Sequence, residues 1–165
     1  MGISYLQGHS DAVLQDLKEA VVQIRRVVGR LHRAGVRILA GSDGPGNPST
    51  TPGVSLHEEL HQLVSSGLTP EEAWAAGTRH AGEFLRLPLL GTLQKNAPAD
   101  ILLFREDPTR DLSALSTLEA VAANGRLYPK EALDEGVARH KRYFESRLFD
   151  FVTMAVARRA MKMFD

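Results

Sequence analysis

Two stretches of this sequence place side chains where they could do chemistry. The first is Val36-Arg37-Ile38-Leu39-Ala40-Gly41-Ser42-Asp43, a short apolar run that ends in a single carboxylate. An apolar run that follows a long helix and closes on an acidic residue is how a βα-barrel strand delivers a catalytic group to its C-terminal mouth. Asp is also a common turn former, so Asp43 equally suits the start of the Gly- and Pro-rich loop that follows it. The second stretch is His57-Glu58-Glu59-Leu60-His61. On a helix, His-Glu-x-x-His sets two imidazoles one turn apart to bind zinc, with the Glu as base, and Glu83 lies downstream where a third ligand could come from. The Gly and third His of the longer zinc-protease pattern are missing, because Val64 and Gly67 stand in their places. Helix geometry offers the plainer account: His57 and His61 flank the stripe Leu56, Leu60 and Val64 as boundary histidines, and Glu58 faces solvent.

Composition narrows the partners. The 165 residues, 43% of them hydrophobic, are enough for one domain with a real core. Lys plus Arg and Asp plus Glu number 20 each, so no net charge draws the chain to nucleic acid or to a membrane surface, and neither is expected as a partner. The absence of cysteine excludes disulfides, thiolate zinc sites and a cysteine nucleophile, which leaves His, Asp and Glu as metal ligands. No apolar run approaches the roughly 18 residues of a membrane helix, and no basic segment followed by an apolar one marks a secretory signal. The cytoplasm is the expected location.

The elements that must position these groups follow from periodicity. Leu14, Leu17, Val21, Ile24, Val28 and Leu31 alternate steps of three and four, predicting a helix over 10–34 that Ser10 caps and Gly35 ends. The same spacing is a heptad seam, too short for a coiled coil, so the stripe suits a helix lying on a sheet. A strand over 36–40 follows, then an irregular loop over 44–53 with Pro45, Pro48 and Pro52. A second helix is expected over 55–66, capped by Ser55 with Glu58 three residues on and closed by Gly67. Thr69-Pro70-Glu71-Glu72 starts a third, which continues through Trp74 to Phe84 and is loosened by Gly77 and Gly82. Beyond Pro88 a buried strand ending in Ile101-Leu102-Leu103-Phe104 and an extended segment over 118–123 are expected, the latter reaching the turn signal Asn124-Gly125. From Pro129 onward the tail reads as helical, with Leu133, Val137, Tyr143 or Phe144, and Leu148 on one side.

Taken in order, Gly35 to Asp43, Leu56-His57-Glu58-Glu59-Leu60, Ser66-Gly67-Leu68-Thr69-Pro70-Glu71-Glu72-Ala73, Gly91-Thr92-Leu93 and Ala99-Asp100-Ile101-Leu102-Leu103 resemble the C-terminal portion of the amidohydrolase superfamily. The likeness is to the branch of imidazolonepropionase-like and prolidase-like enzymes and covers about 31–125. It implies an α/β, helix-rich C-terminal fragment of a (β/α)8 metal-dependent hydrolase barrel plus part of a small β-sandwich. Residues 1–88 would be the end of the barrel, 89–128 the C-terminal strands of the sandwich and 129–165 a helical tail. By the same likeness 36–40 is the eighth barrel strand, and Asp43 ligates a divalent metal, zinc by expectation, and takes a proton from the attacking water. The reaction would be hydrolysis of a carbon-nitrogen bond in a small amide or cyclic amide.

The family's His-x-His occurs nowhere in this sequence. Ser42 stands where Thr is frequent, Lys95-Asn96 where Gly is usual and His80 where Pro is usual. A catalytic zinc wants about three protein ligands, and Asp43 supplies one. The resemblance therefore implies the last quarter to third of such an enzyme, expected to be inactive alone, with three explanations open: a split or truncated gene product, one piece of a cleaved or two-chain enzyme that a complementary N-terminal chain completes, or a remnant that has become a small α/β protein. The non-catalytic alternative is a helical module that pairs through the Leu14 to Leu31 seam, with itself as a homo-oligomer or with another protein.

Overall fold

The long amphipathic repeat forms helix α1, Asp11–Arg33, in a computed structural model that describes residues 11–43 and 53–144. Its expected cap, Ser10, lies outside those residues. Its other end closes as the sequence implies. Gly35, at φ 78°, donates its N–H to the His32 carbonyl, and Val36 N donates to the Leu31 carbonyl. That pair of bonds is a Schellman cap, and the left-handed residue it needs carries no Cβ here.

Helix α2 spans Val54–Ser65 and closes in the same way, with Gly67 at φ 108° and bonds from Gly67 N to Val64 O and from Leu68 N to Leu63 O. Its start differs from expectation. Gly53 at φ 86° occupies the cap position, so Ser55 lies inside the first turn rather than at the cap. Helix α3, Pro70–Gly77, begins with the full capping box: the Thr69 hydroxyl accepts from Glu72 N, and Thr69 N donates to the Glu72 carboxylate at 2.8 Å. The expected continuation to Phe84 is interrupted at Thr78, whose φ of −129° and ψ of −95° are not helical, and α4 resumes over Arg79–Phe84.

Leu60 and Leu63 of α2, Leu68, and Ala73 and Ala76 of α3 form the core, joined by Leu112 and Leu115 from a 3-10 helix, η1, over Leu112–Thr117. Val28 of α1 packs on it, as do Ile38, Ala40, Trp74 and Phe104. Trp74 and Phe104 meet edge to face at 5.7 Å, so the core runs from the helices into the sheet. The rest of the α1 stripe is not covered: Leu17, Val21, Ile24 and Leu31 are 47, 43, 62 and 42% exposed. α1 meets α2 at Gly29, where a Cβ would lie 2.2 Å from the Ser66 carbonyl oxygen.

The expected strand over 36–40 joins no ladder among the described residues. A strand is defined by its neighbours, and no described strand lies beside this one. Instead Ala40 N donates to the Ala76 carbonyl at 3.1 Å, fastening the segment to the end of α3.

The expected C-terminal strands do form. β1 (Ile101–Phe104) and β2 (Leu118–Ala123) are antiparallel, and β3 (Arg126–Pro129) returns along β2 to give the order β1-β2-β3. Asn124 and Gly125 both have positive φ, 51° and 73°, as a tight hairpin requires. β1 is not the buried strand expected of its composition: it sits at the sheet edge, with Ile101, Leu102 and Leu103 exposed. This three-stranded sheet is the whole of the β-structure among the described residues. Helix α5, Lys130–Phe144, lies against β2 and β3 and confirms the helical tail as far as it is described; Leu148 lies beyond. No described helix is long and apolar enough to cross a membrane.

Candidate functional site

Asp43 closes the segment that leaves α1. Two anchors hold that segment before it reaches the carboxylate. Ile38 and Ala40 pack on the core, and Ala40 is hydrogen-bonded to α3. A third contact braces it from outside: Arg37 Nη1 lies 2.6 Å from Glu83 Oε2, and Arg79 Nη1 lies 3.7 Å from Glu83 Oε1. Asp43 itself is exposed and has φ 51°, a left-handed conformation that Asp tolerates better than most residues. Both readings of Asp43 accommodate that backbone, since turns and active sites each collect such residues. The loop that follows lies outside the described residues up to Gly53.

The His57-Glu58-x-x-His61 pair falls on α2, as its spacing predicts, and both imidazoles are exposed. His61 stands near Asp111, the N-cap of η1. The Asp111 carboxyl is held below the usual carboxylate range, first by the N–H and hydroxyl of Ser113 and only then by the charge of His61. Glu83, the third ligand the sequence offered, is engaged by Arg37 and Arg79 instead. Among the described residues no three His, Asp or Glu side chains form a group that could hold a metal. One exposed carboxylate does not meet the coordination demand of a catalytic zinc, so the described residues alone do not fit that ion.

One polar cluster escaped the sequence. His32 from the last turn of α1, Glu72 from the α3 capping box and His80 from α4 line a groove of about 260 Å³ with Gly35, Val36, Arg37, Ile38 and Leu68. His32 Nε2 lies 3.4 Å from Glu72 Oε1, and His80 Nδ1 is buried without a hydrogen-bond partner. The Glu72 carboxyl is held below its ordinary range chiefly by the Thr69 N–H and hydroxyl, with His32 adding a smaller effect. These three residues come from separate elements, so only the folded chain brings them to one groove.

Comparison with known proteins gives this geometry a frame. The model of the amidohydrolase family matches residues 9–128. The imidazolonepropionase of Salmonella arizonae is 42% identical over 82 residues, covering 48% of this chain and 20% of that protein, and the one from Salmonella typhimurium is 40% identical over the same length. The chain thus spans about a fifth of the length of these relatives. Among solved structures, a protein described as a prolidase from Bifidobacterium longum superposes with a TM-score of 0.63 at 28% identity, covering 84% of this chain and 35% of that one. A Xaa-Pro dipeptidase with methionine bound in its active site gives a TM-score of 0.57 at 25% identity, covering 65% of this chain and 26% of that one.

Proposed function

The chain belongs to the amidohydrolase family, and we propose that it is the C-terminal portion of a metal-dependent hydrolase of carbon-nitrogen bonds, to which it contributes the Asp43 carboxylate. The observation that carries this reading is the family match over 9–128, which takes in α1, the segment to Asp43, the helices behind it and the sheet. In this reading 36–40 is a barrel strand whose neighbours come from the rest of the enzyme, in the same polypeptide or a second one. The divisions at 88 and 128 separate barrel, sandwich strands and tail.

Amidohydrolases are in general metal-dependent, and the remaining ligands would come from outside the described residues. What this chain supplies is a proton acceptor on a fastened segment. A carboxylate within hydrogen-bond reach of the attacking water can take its proton and return it to the leaving nitrogen. The relatives' names point to a cyclic amide of the imidazolone kind or a dipeptide amide before proline as substrate. By itself the chain is expected to be inactive. The test is turnover of such substrates by the chain joined to the complementary N-terminal barrel portion, with and without Asp43→Asn.

A second reading draws on the exposed stripe of α1. Leu17, Val21, Ile24 and Leu31 form one apolar face that a second copy or another protein could cover. Light scattering on the purified chain separates the two: a concentration-dependent mass abolished by Ile24→Asp supports pairing through α1, and a monomer at all concentrations refutes self-pairing.

A further inference from the structure

Beside the apolar stripe, α1 carries an arrangement that neither reading uses. Arg25, Arg26, Arg30 and Arg33 line one groove of about 650 Å³ with Val22, Val27 and the two serines that end α2, Ser65 and Ser66. Among the described residues no carboxylate lines it. Arg26, Arg30 and Arg33 follow at i, i+4 and i+7, so like charges stand one turn apart, a spacing that destabilises an isolated helix. Glu19, the nearest carboxylate before them on α1, shares an adjoining hollow with Arg26 and accepts from Gln15 Nε2 at 2.9 Å, without an ion pair to any of these arginines among the described residues. Among the described residues no acidic group pairs with Arg26, Arg30 or Arg33. The helix dipole accounts for basic residues in the last turn, which covers Arg30 and Arg33 but leaves Arg25 and Arg26 unexplained.

Two further features make this a groove rather than a row of solvated side chains. Arg25 Nε donates to Gln62 Oε1 at 2.8 Å, which ties its guanidinium to α2. Arg33 lies back across the α1–α2 contact, its Nη1 3.4 Å from where a Gly29 Cβ would be. The chain as a whole has no net charge, so the positive charge gathered here is local.

We propose that this groove binds a small multivalent oxyanion through the guanidinium groups of Arg25, Arg26, Arg30 and Arg33. Guanidinium forks match phosphate and carboxylate oxygens in pairs, which a lysine cluster would not. The volume falls within the range of about 300–1,000 Å³ usual for small-molecule sites. From Arg26 to Arg33 the helix rises only about 10 Å, room for two or three charged groups rather than a polymer backbone.

The test is calorimetric titration of the 165-residue chain at 150 mM salt, an ionic strength of about 0.15 M chosen to screen weak surface attraction. Tripolyphosphate and citrate are the two probes. Saturable one-to-one binding of either is expected, weakened at least tenfold by Arg30→Gln and by Arg26→Gln, and unchanged by Arg110→Gln, since Arg110 does not line the groove. Binding of tripolyphosphate alone assigns a phosphate-bearing ligand, and binding of citrate as well assigns a general polyanion site. Arg30→Lys keeps the charge but loses the fork and should also weaken binding, which guards against a folding defect in the Gln variants, whose helicity is checked by circular dichroism. No saturable binding of either probe, or binding lowered equally by Arg110→Gln, overturns the proposal.

Discussion

The same substitution, Gly to Ala, should move stability in opposite directions at two helical positions. Alanine is favoured over glycine inside a helix by about 0.5–1 kcal/mol. At Gly136 in α5 nothing among the described residues lies within 4 Å of the new Cβ, so Gly136→Ala should stabilise by about that amount. At Gly29 the Cβ would stand 2.2 Å from the Ser66 carbonyl oxygen and 3.4 Å from Arg33 Nη1. The oxygen is backbone at the end of α2 and cannot rotate away, so α1 and α2 must part by about 1 Å. Overpacking of this kind costs about 1–3 kcal/mol, and with the helix gain of about 0.5–1 kcal/mol set against it Gly29→Ala is destabilised by up to about 2.5 kcal/mol. For a chain of this size each kcal/mol shifts the melting temperature by roughly 2–4 °C. Thermal melts followed by circular dichroism would therefore show Gly136→Ala above and Gly29→Ala below the native chain. Equal stabilisation by both would refute the close contact of α1 with α2, and with it the route by which the segment after α1 is set against α3.

Other outcomes follow from the same geometry. Arg86 sits at φ 61° in the cap of α4, where Leu87 N donates to Gly82 O and Arg86 N to Glu83 O; Arg86→Gly should raise stability by about 0.5–1 kcal/mol, the relief of left-handed strain less the added freedom of the unfolded chain, and denaturant unfolding would show it. The Glu72 carboxyl is depressed below its ordinary 4.5 by the Thr69 N–H and hydroxyl, so its contribution is fully present above that value and fades as pH falls through the lower folded value. Urea midpoints taken down this acid range should fall less steeply for Glu72→Gln than for the native chain, and parallel curves would deny the carboxylate that part.

Features set by near neighbours in the chain were legible in the sequence. The stripe of α1, the Thr69 to Glu72 capping box and the glycines at 35 and 67 each depend on residues within one or two turns, and each is where its pattern put it. Asn124-Gly125 was legible as a turn, and the return strand β3 that such a turn demands was the missed half of that signal. Gly53 displaced Ser55 as the α2 cap because a positive φ at the entry suits glycine better than a hydroxyl suits the turn. What the described residues do not reproduce depends on partners. The run at 36–40 has strand composition yet joins no described sheet, and β1 has core composition yet lies at an edge. Periodicity told which face of α1 is apolar but not what covers it. Asp43 was singled out by its place after an apolar run, while the His32, Glu72 and His80 cluster and the arginine groove required the packing of separate helices. His57 and His61 had the spacing of a zinc pair, and no third group joins them among the described residues.

The central claim is that this chain brings the proton-transferring carboxylate to an amidohydrolase. It is tested most directly by kcat of the complete enzyme, in which this chain is joined to the complementary N-terminal barrel portion, measured with Asp43 and with Asp43→Asn while assembly is followed by light scattering. General acid–base groups contribute about 10²–10⁴-fold, so Asp43→Asn should lower turnover by at least that much with assembly unchanged. Turnover retained by the assembled Asp43→Asn enzyme would contradict the account and return Asp43 to the status of a turn residue.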